Sequence, residues 1–157
     1  MNGVASEPIA MNMETVQQHY GRDHQRLDEL FHRFQERQKN DFSEASRLFA
    51  EFKAGLDRHI VWEEEILFPR FDAKMDHPPD SPTAIMCWEH EHLRRYLARI
   101  EQNLSRHDTE SELVQIAFLS LLGAHNEKEE RILYPMMDEM LGEEERSNVF
   151  AEMERTQ

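Results

Sequence analysis

The chain has 157 residues, 32% of them charged and 39% hydrophobic, with a formal net charge of −14 and a single cysteine, Cys87. That length can bury a core without covalent staples. The acidity excludes the cationic stripe that a nucleic-acid backbone needs and disfavours anionic membranes, and one cysteine excludes an intrachain disulfide or a CxxC motif.

Five glycines, six prolines and the lack of Val-, Ile- and Thr-rich runs favour helix nearly throughout. No basic leader precedes an apolar run, and no apolar stretch reaches membrane-spanning length, so a reducing cytoplasm is the expected location. Residues 1–11, with Gly3 and Pro8, read as a loose tail. The first helix is predicted from Asn12, as N-cap, to near Lys39, with Val16, Tyr20, Leu27, Leu30, Phe31 and Phe34 at helical spacing.

Asp41 with Glu44 reads as a capping box opening a second helix to about Phe71. Its stripe is Leu48, Phe49, Phe52, Leu56, Ile60, Ile66 and Leu67, and Pro69 falls near its end, where a break costs least. After a loop over 76–81, Ser81 caps a third helix with Pro82 at its first position, lasting to about Ser105. Thr109 and Glu112 suggest another capping box, opening a fourth helix that ends near Met140; Gly142 then precedes a short helix from Glu143 to Glu154. The expected architecture is all-α and a single domain over 1–157. It is an up-down-up-down four-helix bundle across 12–140 with a short fifth C-terminal helix at 143–155.

Shifting the sequence by 66 residues lays its second half on its first. His24 falls on His90, His59 on His125, Glu63 on Glu129 and Pro69 on Pro135. Between His59 and Pro69 six of eleven positions match those from His125 to Pro135, Phe68 answers Tyr134, and Asp72 answers Asp138. Asp23 before His24 likewise answers Glu89 before His90. A repeat of this kind implies two copies of one helix pair and a bundle with pseudo-two-fold symmetry.

In His59-x-x-x-Glu63 and His125-x-x-x-Glu129 the imidazole and carboxylate share one helix face, one turn apart. At about 1.5 Å per residue, these pairs and the lone His24 and His90 lie roughly 12–20 Å from helix ends that share one side of the bundle. All six therefore fall in one layer. Burying that many ionisable groups without a cation would be very costly. Four imidazoles and two carboxylates suit iron, with manganese or zinc as alternatives. If both glutamates bridge, each of two metals has two histidines and two carboxylate oxygens, with positions open to water or a small molecule.

This pattern, a lone His followed by His-x-x-x-Glu and then both again, resembles the hemerythrin-like, HHE cation-binding family over about residues 12–140. The Glu-Glu-x-Ile-Leu-Phe/Tyr-Pro continuation is similar too. The resemblance implies a non-heme di-iron centre, two ions per chain with an oxo or hydroxo bridge, in a four-helix bundle that binds dioxygen or related molecules. It carries His24, His59, Glu63, His90, His125 and Glu129 over as metal ligands. Oxygen-carrying members have a fifth histidine four residues after the second lone one, where this chain has Arg94, and end their last motif in Asp one residue later, where this chain has Glu129. The expectation is therefore small-molecule reactivity and not oxygen transport.

Other polar residues are assigned weaker roles. His19, His32 and His107 are expected at the surface, His92 on the far side of its helix, and His77 in the loop nearest the site. Tyr20 and Met86 either pack or line the pocket. Cys87 reads as a small buried apolar residue, with a redox or ligand role as the alternative. Asp28 and Arg94 suggest an ion pair over the site, or Asp28 an extra ligand. Trp62 and Trp88 read as packing groups, and Glu64 and Glu130 as acceptors for histidine N–H groups. Three functions follow: a module that binds, senses or stores O2, NO, peroxide or iron; an enzyme acting on NO or peroxide, or donating iron to damaged iron centres; or a structural metal. A sensor needs a separate output partner and an enzyme an external reductant.

Overall fold

In the computed structural model, which describes residues 14–75, 81–107 and 111–156, Thr15 starts α1 (Val16–Arg37) with a complete capping box. Its hydroxyl accepts from the Gln18 amide at 3.1 Å, and the Gln18 side chain accepts from the Thr15 amide at 3.0 Å. The helix thus begins after the expected cap Asn12, which lies outside the described residues, and stops short of Lys39. Asp41 caps α2 (Phe42–Val61) by accepting from the Glu44 amide at 3.1 Å. The returning half of that box is not made, because Arg47 takes the Glu44 carboxylate at 2.6 Å.

After α2 the chain continues without a break through a π-helical turn, Trp62–Leu67, into α3 (Phe68–Asp72). Ser81, accepting from the Ala84 amide at 3.3 Å, opens α4 (Pro82–Ser105) as expected. The fourth rod repeats the second: α5 (Ser111–Lys128), a π-helical turn at Glu129–Leu133, then α6 (Tyr134–Met140). Gly142 precedes α7 (Glu143–Arg155). His77 and Thr109, and with them the second expected capping box, lie outside the described residues. Among the described residues there is no strand, and no helix is long and apolar enough to cross a membrane. The fold is all-α.

The two π turns replace the straight helices expected from periodicity, and the prolines explain them. Pro69 and Pro135 lack an N–H, and their rings would collide with the carbonyl four residues earlier in a regular helix. The wider turn removes that collision: the Phe68 amide bonds to the Glu63 carbonyl, and the Tyr134 amide to that of Glu129. Asp138, just past the second proline, caps another element. It accepts from the Val16 and Gln17 amides at 2.7 and 3.2 Å, satisfying two free donors at the start of α1. Its repeat partner Asp72 reaches the start of α4 through the Thr83 hydroxyl at 2.7 Å, since Pro82 has no amide to offer.

α1 packs along α2 and α4 along α5, and α6 returns against α1. Two apolar clusters fill the interior. One, around Phe31, Phe34, Phe52, Leu97 and Phe118, lies toward the short 38–41 connection. The other, around Val16, Tyr20, Leu67, Phe71, Tyr134 and Met137, is covered by Val149 and Met153 of α7. Burying each large apolar side chain contributes about 1.5–3 kcal/mol. In every rod the histidine lies between residues of the two clusters, so the polar layer is sandwiched by them.

Candidate metal centre

The structure brings all six sequence-predicted donors together, and all are buried. Two overlapping groups can each hold a cation: His24, His59, Glu63 and Glu129, and Glu63, His90, His125 and Glu129. Within each group the donor atoms lie within 4.8 Å of one another. His24 and His59 face each other through Nε2 at 3.1 Å, and His90 and His125 do so at 3.2 Å. Glu63 sits between the pairs, with Oε1 3.2 Å from His59 Nε2 and Oε2 3.0 Å from His90 Nε2. Glu129 Oε1 lies 3.4 Å from His24 Nε2 and 3.1 Å from His125 Nε2.

A second ring of carboxylates fixes the imidazoles from behind. Nδ1 of His59 donates to Asp23 at 2.8 Å, that of His90 to Glu64 at 2.9 Å and that of His24 to Glu130 at 3.1 Å. His125 Nδ1 lies 3.6 Å from Glu89. With Nδ1 turned to an acid, each Nε2 is directed inward, as a metal ligand requires. Glu64 and Glu130 thus do what was expected of them. Asp23 and Glu89 were missed in that role, although each precedes a lone histidine at matching places in the repeat.

Tyr134 was also missed. Its hydroxyl donates to Glu63 Oε1 at 2.5 Å and lies 3.3 and 3.4 Å from Nε2 of His59 and His24. In a straight α-helix a residue five after Glu129 would be turned about 140° away from it. The π turn restores it to the same face. No hydropathy pattern carries that signal; the repeated proline does.

The donors are electrostatically coupled. Burial alone would lower the His59 pKa, but Glu63 and Asp23 outweigh it and raise it to about 9. His125 is raised to about 9 by Glu129 and Glu89, and His90 to about 11 by Cys87, Glu63 and Glu64, both against burial. Burial would raise the Glu63 carboxyl, yet His59 and His90 hold it well below the ordinary range. Even so, Glu63 Oε2 and both Glu129 oxygens are buried without a hydrogen bond. Orphaned carboxylate oxygens beside convergent imidazole nitrogens fit a bound cation.

The remaining expectations divide. Tyr20 and Met86 are buried in the cluster under α7, and Tyr20 stands edge-on to His59. Arg94 does not pair with Asp28; it holds Glu64 at 3.3 Å and Glu91 at 3.0 Å, and Asp28 is an exposed residue outside both donor groups. Cys87 is half-buried and not fully buried, near Glu64 and His90. Trp62 packs under Arg58, whereas Trp88 is 63% exposed and stands edge-to-face with the half-buried His92. His32 and His107 are exposed, but His19 is half-buried, stacked on Phe150 of α7.

One family model, that of the hemerythrin HHE cation-binding domain, matches residues 15–137, a span that holds all six donors. No curated protein and no solved structure matches the chain significantly.

Proposed function

We propose that this chain, which belongs to the hemerythrin HHE cation-binding family, holds two iron ions on His24, His59, Glu63, His90, His125 and Glu129 and binds small ligands such as dioxygen, nitric oxide or peroxide. The observation that carries this is Glu63, whose two oxygens face the two histidine pairs separately. Glu129 also spans the two pairs, but through one oxygen, Oε1, near His24 and His125, so both donor groups need both glutamates. A pair of cations sharing them accounts for four imidazoles and two carboxylates in one dry layer; a single cation leaves half of the histidines without a partner.

Nitrogen and oxygen donors with no thiolate among them favour iron, with manganese or zinc next. Bound iron supplies open coordination positions and one-electron chemistry. The protein's own residues orient the donors, hold each Nδ1–H toward an outer acid and exclude water with the two apolar clusters. Turnover of nitric oxide or peroxide, with an external reductant, is the second reading. The Tyr134 O–H beside the donors favours it, since reducing either molecule consumes protons. One domain in a reducing cytoplasm accords with the free cysteine.

Anaerobic loading with Fe(II), metal counting, and optical spectra before and after air, nitric oxide and peroxide test both readings. The expected result is two irons per chain and a spectrum that changes with each ligand; many turnovers with added reductant mark the enzyme. Fewer than two metals per chain, or undiminished binding in His59→Ala/His125→Ala, would overturn the proposal.

A further inference from the structure

The six donors obey the repeat, but their surroundings do not. Beside His24 and His59 the Tyr134 hydroxyl reaches into the donor set. At the equivalent place beside His90 stands Phe68, which has no hydroxyl and lies nearly parallel to the imidazole at 6.1 Å. Of the four outer acids, Asp23 pairs with Arg26, Glu64 with Arg94 and Glu89 with Lys128. Among the described residues no lysine or arginine pairs with Glu130, the acid behind His24, whose side chain is 39% exposed. Glu130 borders a surface groove lined by Gln17, Gln18, Gly21 and Gln25. The repeat places the larger Cys87 where Gly21 stands, close to Glu64 and His90.

Resting on the two-metal reading above, we infer that the two metal positions are unequal and that a small hydrogen-bond-accepting ligand binds at the one held by His24 and His59, where the Tyr134 hydroxyl donates to it. A buried O–H must have an acceptor. Tyr134 now uses Glu63 Oε1, the same oxygen that faces His59. A cation drawing on that oxygen leaves the phenol beside any ligand seated there. A hydrogen bond to an anionic ligand in a dry site is a strong one. Phe68 offers nothing comparable at the other position. The groove at Gly21 is the natural approach, because a Cβ there would already stand 3.6 Å from Glu130 Oε1 and a longer side chain would fill the gap.

Azide is the probe. Wild type, Tyr134→Phe, Tyr134→Phe/Phe68→Tyr and Gly21→Leu are loaded with iron, their metal counted, oxidised, and titrated with azide by its charge-transfer absorption. Tyr134→Phe is expected to keep both irons and bind azide about ten- to a hundredfold more weakly, the loss of one hydrogen bond to a charged group. The double variant, which moves the hydroxyl beside His90, should regain affinity, and Gly21→Leu should slow association several-fold at little cost in affinity. Azide bound equally well by Tyr134→Phe overturns the inference while leaving two-iron binding intact. Wild type that takes up fewer than two irons overturns the underlying reading instead. Should Tyr134→Phe lose iron, the infrared stretch of azide on wild type decides: a shift between H2O and D2O supports the hydrogen bond, and no shift overturns it.

Discussion

Every imidazole at the centre touches two acids with different tasks. The inner one, Glu63 or Glu129, is shared between the donor groups, whereas the outer one sets which nitrogen carries the proton. Asp23→Asn removes the charge behind His59 and keeps the size, so metal affinity should fall about 10–100-fold with the fold intact. Competition against a chelator measures this, and unchanged affinity would reduce Asp23 to a packing group. The same charges set the pH response. His59 and His125, raised to about 9 from an ordinary 6.5, stabilise the chelator-stripped protein fully below pH 6.5, and that contribution is lost as pH rises through 9. Glu63 is held low, so its contribution is present above 4.5 and lost only in strong acid. Melting temperature of the stripped protein should therefore decline between pH 7 and 10, and metal uptake at pH 7 should release protons to a weak buffer. Uptake with no proton release at pH 7 would contradict the assignment. Of this layer the six inner residues were legible because histidine and glutamate spacing recurs in step. Asp23 and Glu89 were harder to see, since acids on an outer helix face are common in so acidic a chain.

At the level of elements, amphipathic spacing and caps located the four rods, and Asp41, Ser81 and Gly142 stand where their chemistry suggested. The π turns were not legible from periodicity, which assumes one pitch throughout. The only trace of them was the repeated Pro69 and Pro135, the first of them read as a place where a break in the helix costs least. They widen it instead, and by widening it carry Phe68 and Tyr134 round to the site. Pro135→Ala restores an amide that can bond to the Arg131 carbonyl. The stripped protein should then melt no lower than wild type, because proline is costly inside a helix. Metal affinity should drop about tenfold as Tyr134 and Glu129 leave register. A variant that keeps full affinity would separate the π turn from the site. Asp138→Ala probes a second link between rods: loss of the α1 cap should cost about 1 kcal/mol in urea unfolding. Asp72→Ala should cost less, since Asp72 reaches α4 only through Thr83.

Across the whole molecule the polar layer divides the interior into two apolar clusters, each complete in itself. Hydrophobic burial can hold each cluster, but it cannot hold four imidazoles and two carboxylates between them; their charges and hydrogen bonds do so only in part, leaving carboxylate oxygens unpaired. A cation pair drawing on all four rods would bind the folded chain and not the unfolded one, because the donors are scattered from His24 to Glu129. At a free metal concentration a hundred times the dissociation constant, the gain is about 2.7 kcal/mol for each ion bound. For a chain of this size that corresponds to a rise in melting temperature of roughly 5–10 °C per ion. Calorimetry on chelator-stripped and iron-reloaded protein under anaerobic conditions measures it, with His59→Ala/His125→Ala as the comparison that should show no rise. Slower amide exchange on reloading should appear first around the two π turns, where the shared glutamates sit, and spread to α1 and α4. Equal melting temperatures for stripped and reloaded protein would mean that the two clusters carry the fold alone and that the layer between them is no staple.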